Sequence, residues 1–545
     1  MIKNEADVNA FTFRYETPLM LASYFGHVNA MAFLIEHGAK VDLQDEIGTT
    51  ALQYAAQGPN LSDEINNYFS LQGVDRNKFV EETSVHDHVK AVTFLIEHGA
   101  NVDLQDNNGD TALHYAVTFD FPEIVKMLLN LGASDMCNNK GLTPLHQASI
   151  SASIGVVEYL IKRPEITKEQ RVDALELLGA SVATQFNMFM FISASIEERL
   201  KYIKRGMYER FANPSQPILK QPKKPAYGNR KESQTPEELA QIEGDTEAIM
   251  MECLNIKERI LGTNHSELLR SIRFVCSSCN LTDPSLLIAL YSRAVDIAQK
   301  SNLSAHDDFQ KISYLLPEIM SRGSNHLKEE DFLELLRLIV IEYKMEHTKR
   351  RRNDDEKYLR EEVLEDLFCF SLRLVSIMSK FEFCDERNAS KVSNLLKKLS
   401  SQDPRNRFGN SLLHEFIEMC TVDNDSSSCL QAVNLLLNEG FNVNVVNNEG
   451  NSPLHIAVTL EPRNDKICLL TEILRLLFDG GAHHDFVHNY GETPMDMAQS
   501  DEACTILSER RTLELQCISA RAVKKFGIPY LEVVPKILEN YISMH

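Results

Sequence analysis

The sequence predicts an all-α chain in which two groups of repeats flank a helical middle. Three observations predict it. The stretch FLIEHGAKVDLQD (33–45) returns as FLIEHGANVDLQD (94–106), with one change in thirteen positions. A six-residue pattern recurs as TPLMLA (17–22), TALQYA (50–55), TALHYA (111–116), TPLHQA (143–148), SLLHEF (411–416), SPLHIA (452–457) and TPMDMA (493–498). Residues 149–400 lack that pattern and carry apolar residues at helical spacing instead.

Each element follows in order. Thr17 to Thr50 is 33 residues and Thr111 to Thr143 is 32, which is the ankyrin period and signature. Thr suits a helix N-cap, Pro its first turn, and Leu and Ala the core. Residues 1–164 are therefore read as about four ankyrin repeats. EADVNA (5–10) reads as the tail of a unit whose helices are missing, so either a longer natural chain or a makeshift cap over Met1–Phe13 is expected. Thr50 to Thr111 is 61 residues, and the polar surplus near 57–88 is expected as an insertion between the two helices of one repeat. His114, His146 and His455 lie in the signature and read as turn ties rather than metal ligands. Asp42, Asp45, Asp103, Asp106 and Asp110 sit at or beside the repeat tips, as turn-forming residues or as acidic candidates facing a ligand.

Residues 165–400 are expected to form tetratricopeptide-like hairpins, with helices over 171–183, 237–261, 285–301 and 328–347. A proline-rich crossing segment spans 211–238. KRRR (349–352) runs into NDDEK and reads as a charged loop in preference to a nuclear signal. Residues 401–510 form the second ankyrin array, with longer loops because Ser411, Ser452 and Thr493 are 41 apart.

The composition restricts function. A formal charge of −22 repels phosphate, so neither nucleic acid nor a membrane is expected as partner. Eleven cysteines without a pairing rhythm suggest free thiols and a cytosolic setting, with the nucleus as a second compartment. No Walker loop, dinucleotide glycine motif, H-E-x-x-H or G-x-S-x-G occurs. CSSC (276–279) lacks a second pair, and the histidines of AHHDFVH (482–488) fall on a repeat finger. The expected role is binding without catalysis, cofactor or metal.

Residues 511–545 differ from the repeats. In TLELQCISARAVKKF (512–526), Thr512 is a plausible N-cap, and Leu513, Cys517 and Ala520 share one helical face. Leu515, Ile518, Ala522 and Phe526 make a second. A helix with two apolar stripes is normally held between two bodies. The residues leave open whether this tail docks a partner or caps the stack. They also leave open a homodimer through the helical middle.

The pattern Thr512-Leu513-x-x-x-Cys517 resembles the BC box that binds elongin C, and Val534-Pro535-x-x-Leu538 resembles a cullin box; together they resemble a VHL box. ALELLGAS (174–181), AYGNRKESQTPEEL (226–239), NIKERILGTNHSE (255–267) and VNNEGNSPLHI (446–456) resemble the Feminization-1 family. The resemblance implies a non-catalytic substrate receptor of a cullin-2 RING E3 ubiquitin ligase. Elongin C with elongin B would meet Thr512, Leu513, Cys517 and Ala520. Cullin-2, with its RING protein, would meet Val534, Pro535 and Leu538. The ankyrin repeats would bind carboxy-terminal degrons, leading to ubiquitination and proteasomal degradation. Where the family places an acidic pocket residue, SYFGH (23–27) holds Phe25. The alternative is an ankyrin scaffold outside any ligase, its tail only a lid.

Overall fold

The computed structural model describes residues 7–57, 85–184, 196–213, 217–220, 227, 230–278, 283–321, 328–348, 354–381, 385–422, 426–460 and 467–509, with Val523, Ile528, Pro529 and Ile542 in the tail. Among them the secondary structure is helical, and strand pairing is limited to three isolated bridges. The chain separates into two compact units, Met1–Asn280 and Leu281–His545.

In the first unit, helices Pro18–Tyr24, Ala51–Gln57, Ala112–Thr118 and Pro144–Ile150 open successive ankyrin repeats. Each starts where the signature predicts, because a Thr hydroxyl satisfies a free amide of the first turn: Thr17 accepts from Met20 and Thr143 from His146. The second helices, Val28–Glu36, Val85–Glu97, Pro122–Asn130 and Ile154–Leu160, pack behind them. Leu19, Leu52, Leu113 and Leu145, with Ala55, Ala116 and Ala148, form one buried core that continues to Leu175 and Leu178 of helix Lys168–Thr184. Each Leu contributes roughly 1.5–3 kcal/mol by leaving water. Most of the insertion expected near 57–88, residues 58–84, falls outside the described residues. Helix Val85–Glu97 starts a few residues before the expected end of that loop, with His88 buried and its Nδ1 3.2 Å from the Ala55 carbonyl.

The middle opens with helices Lys168–Thr184 and Ile196–Phe211, which pack closely. Gly179 of ALELLGAS permits this: a Cβ there would stand 2.6 Å from Ile203 Cγ1. The helix expected over 237–261 is two, Pro236–Gln241 and Thr246–Leu261. Gly244 takes φ 98°, and Asp245 restarts the helix by accepting from Ala248 at 3.0 Å. Periodicity alone hid this break, because both halves keep the same apolar phase.

In the second unit, helices Pro284–Lys300, His306–Ser321, Glu329–Thr348, Asp354–Met378 and Glu386–Ser401 pack pairwise. The second ankyrin array follows in helices Leu412–Val422, Ser426–Asn438, Pro453–Val458, Ile467–Asp479 and Pro494–Met497, then Asp501–Glu509. KRRR (349–352) and Cys279 of CSSC lie outside the described residues.

Candidate functional site

The ankyrin fingers are built from a repeated turn. Asp45 Oδ1 accepts from the amides of Ile47 and Thr49, and Asp106 Oδ1 from those of Asn108 and Asp110. Asn138, Asn406 and Asn447 do the same in their own turns. Tyr54 and Tyr115 donate to the second oxygens of Asp45 and Asp106, at 2.8 and 3.0 Å. Burial raises both phenols well above their ordinary range.

The remaining tip aspartates tie one repeat to the next. Asp42 accepts from the Asn101 amide at 3.0 Å, and Asp103 from the Ser134 amide and hydroxyl at 2.8 and 2.6 Å. Asp110 accepts from the Asn138 carboxamide at 2.8 Å. All five aspartates singled out from the sequence thus hold hydrogen bonds within the stack, lying along neighbouring fingers.

A second tie was not singled out beforehand. Asn107 and Asn139 each donate their carboxamide to the preceding finger, to the carbonyls of Glu46 and Asn107, and Asn448 and Asn489 repeat this in the second array. The glycine at each finger tip allows it. Gly109 has φ 78°, and a Cβ there would meet the Asn139 amide nitrogen at 2.6 Å. At the first finger Tyr15 (φ 61°) stands in place of that glycine, and the next finger carries Glu46 in place of Asn. The pairing of tip Gly with following Asn is visible in the repeats themselves and could have been read there.

The signature histidines also close turns. His114 Nδ1 accepts from the Thr111 amide while Nε2 reaches the Leu142 carbonyl at 3.1 Å. His414 repeats this between Ser411 and the Asn451 carbonyl, and His455 Nδ1 accepts from Ser452. Burial pushes His414 and His455 down to about 4, and lowers His146. Gln53 fills the histidine's place by taking the Thr50 amide and giving to the carbonyls of Leu104 and Asp110. Among the described residues no group of His, Cys, Asp and Glu has the arrangement of a metal site, and no helix is long and apolar enough to cross a membrane.

Beside the first array lies a buried ionic knot. Glu176, fully buried, accepts Nε and Nη2 of Arg210 at 2.8 and 2.9 Å and also pairs with Arg259. Arg259 reaches Glu232 and Asp173 at 3.0 Å each. Lys220 joins Glu232 and the Ser233 carbonyl, each at 2.9 Å, and the Ser233 amide donates to Glu252. Burial opposes the charge on Glu176, but Lys220, Arg210 and Arg259 outweigh it and hold its carboxyl below the usual range. Four carboxylates face three cations, and Glu252 is pushed up to about 7, chiefly by burial. Nearby, Lys257 is buried with Nζ 2.7 Å from Ser271 Oγ, and burial pulls its ammonium down to about 8. Glu176, Glu232, Ser233, Lys257 and Arg259 come from the stretches that resemble the Feminization-1 family.

Thr512, Leu513, Cys517, Ala520, Val534, Pro535 and Leu538 lie outside the described residues.

Repeated fingers, capped short helices and a continuous side-by-side core make this an ankyrin-repeat molecule, a fold that binds other proteins. The family model for ankyrin repeats (three copies) matches residues 1–75 and 82–171. Protein fem-1 homolog C of Xenopus laevis is 27% identical over 437 residues, covering 74% of this chain and 65% of that protein. Fem-1 homolog A of Danio rerio is 27% identical over 433 residues (74% and 66%), and human fem-1 homolog C 27% over 445 (78% and 68%). The chain spans about two-thirds of the length of these curated relatives. The chain is similar to members of the Feminization-1 family.

Proposed function

We propose that the chain is the substrate-recognition subunit of a cullin-2 RING E3 ubiquitin ligase and is itself non-catalytic. The observation that carries this reading is the tail: Thr512-Leu513 with Cys517, then Val534-Pro535 with Leu538, in a chain whose relatives are fem-1 homologs. Thr512, Leu513, Cys517 and Ala520 would seat elongin C with elongin B, and Val534, Pro535 and Leu538 would meet cullin-2. The ankyrin fingers would hold the carboxy-terminal degron of a protein to be ubiquitinated and degraded. Fixing two proteins side by side raises the effective concentration of one for chemistry carried by another. Net charge −22 favours a basic peptide end. Asp42, Asp45, Asp103, Asp106 and Asp110 would then add an acidic field beyond their bonds in the stack. The setting would be the cytosol, with the nucleus as a second compartment.

The test is a pull-down with elongin B–elongin C and cullin-2. Wild type should bind. Leu513→Ala should weaken binding about tenfold or more, since burying one Leu is worth roughly 1.5–3 kcal/mol, and adding Cys517→Arg should abolish it. Equal binding by wild type and the double mutant would overturn the tail reading. Deletion of 512–545 that lowers melting temperature without losing a partner would favour a scaffold with a lid.

A further inference from the structure

At four repeat junctions a side-chain oxygen from one finger base accepts an amide of the next. Asn9 takes Lys40, Asp42 takes Asn101, Asp103 takes Ser134 and Asn444 takes His483, at 2.8–3.0 Å. The chain offers a fifth such junction, with Asp403 in the place of Asp42 and Asn442 in the place of Asn101. There the tie is open. Asp403 is turned to Arg405, whose Nε and Nη2 reach its carboxylate at 2.8 and 3.0 Å. The Asn442 amide has no partner among the described residues. A cavity of about 330 Å³ occupies the gap, lined by Pro404, Leu412, Leu413, Phe441, Val445 and Val446, with Arg405 beside them.

The cause is one residue. Gln44 and Gln105 donate to the carbonyls of their own finger glycine and of the following finger. Arg405 does the same with Nη1, to Gly409 and Val446. Its remaining nitrogens then form an ion pair that glutamine cannot form, and this draws Asp403 off Asn442. Asp403 is itself left-handed, at φ 49°.

We propose that this open junction is a binding site for an extended segment of a partner protein carrying an asparagine between aliphatic residues. The asparagine carboxamide would accept from the Asn442 amide, and a neighbouring aliphatic side chain would fill the cavity. The sister junctions define the missing group as a side-chain oxygen. The apolar lining defines its neighbours. The exposed Asp403 carboxylate and the acidic chain favour a neutral carboxamide over an aspartate. The proposal stands apart from the ligase reading and uses none of the tail residues.

The probe is a fluorescein-labelled peptide of residues 441–447 (FNVNVVN), whose Asn444 performs this task at the next junction. Fluorescence polarisation with the full chain should show saturable binding. Replacing the probe's central Asn by Asp should weaken it about fivefold or more. In the protein, Arg405→Gln keeps the two carbonyl contacts, as the sister repeats do, and frees Asp403 to close the junction; affinity should fall at least tenfold. Val445→Trp, which fills the cavity, should do the same, with circular dichroism melts confirming both folds. No binding by wild type, or binding unchanged in both variants, overturns the proposal. So does a wild-type dimer in analytical ultracentrifugation that Val445→Trp disperses, since the occupant would then be a second copy.

Discussion

The ankyrin fingers and the ionic knot solve the same problem, the anchoring of irregular backbone, by opposite means. In the fingers, short neutral or singly charged side chains take backbone amides of their own turn and the next. Each bond stays within one finger or joins it to the next, is repeated along the stack, and is worth about 0.5–1.5 kcal/mol net. In the knot, Glu176, Arg210, Lys220, Glu232 and Arg259 are drawn from distant parts of the chain and held away from water. A buried ion pair adds little over an apolar core, but removing one partner strands the other. The comparison teaches that the fingers should degrade gradually and the knot should fail as a unit.

The sharpest way to break the comparison is Glu176→Ala. It strips Arg210 and Arg259 of their shared acceptor, and calorimetry should show a loss of about 3–5 kcal/mol. No single finger hydrogen bond should cost as much.

Acidity separates the two regions by sign. Glu252 is raised from its ordinary 4.5 to about 7, so its folded form holds the proton more tightly. Its stabilising contribution is present below about 4.5 and is lost as pH rises through 7. His414 and His455 are lowered from 6.5 to about 4, so theirs is present above 6.5 and lost as pH falls through 4. Each shift corresponds to about 3 kcal/mol. Protection of amides around Ser233, taken relative to the intrinsic exchange rate at each pH, should therefore fall from pH 4.5 to 7, while that of the 411–458 repeats should rise.

Within the fingers, glycine is the next test. Gly109→Ala should cost about 1–3 kcal/mol, since it strains a left-handed residue and drives a Cβ into Asn139. Gly141, with φ 74° and nothing within 4 Å of a Cβ, should lose less on the same change. Equal melting shifts would show that the close approach of the next finger contributes nothing. The smallest effect should be Asn107→Ala, about 1 kcal/mol by urea unfolding, from one carboxamide bond to Glu46.

These differences also mark what could be read without coordinates. Thr17, Thr143 and Ser452 announced their helices because capping is local and each appears within a repeated frame. The same frame placed repeat-opening helices again at Leu412 and Pro453. The five aspartates were legible as turn or ligand residues, but their partners were not. Asp103 meets Ser134 and Asp110 meets Asn138, pairs about thirty residues apart whose alignment needs the stacked repeats. The break at Gly244 passed unseen because the helices on either side share one apolar phase.

By itself the sequence determined the repeat architecture and the places where helices start, since both rest on short-range spacing that any copy of the motif carries. Only the tertiary structure decided that Glu176, Lys220, Glu232, Glu252 and Arg259 form one buried knot, and that Arg405 pulls Asp403 from the junction it would otherwise close. Both depend on which charges meet where water is excluded, and burial is a property of the packed chain rather than of any stretch of it.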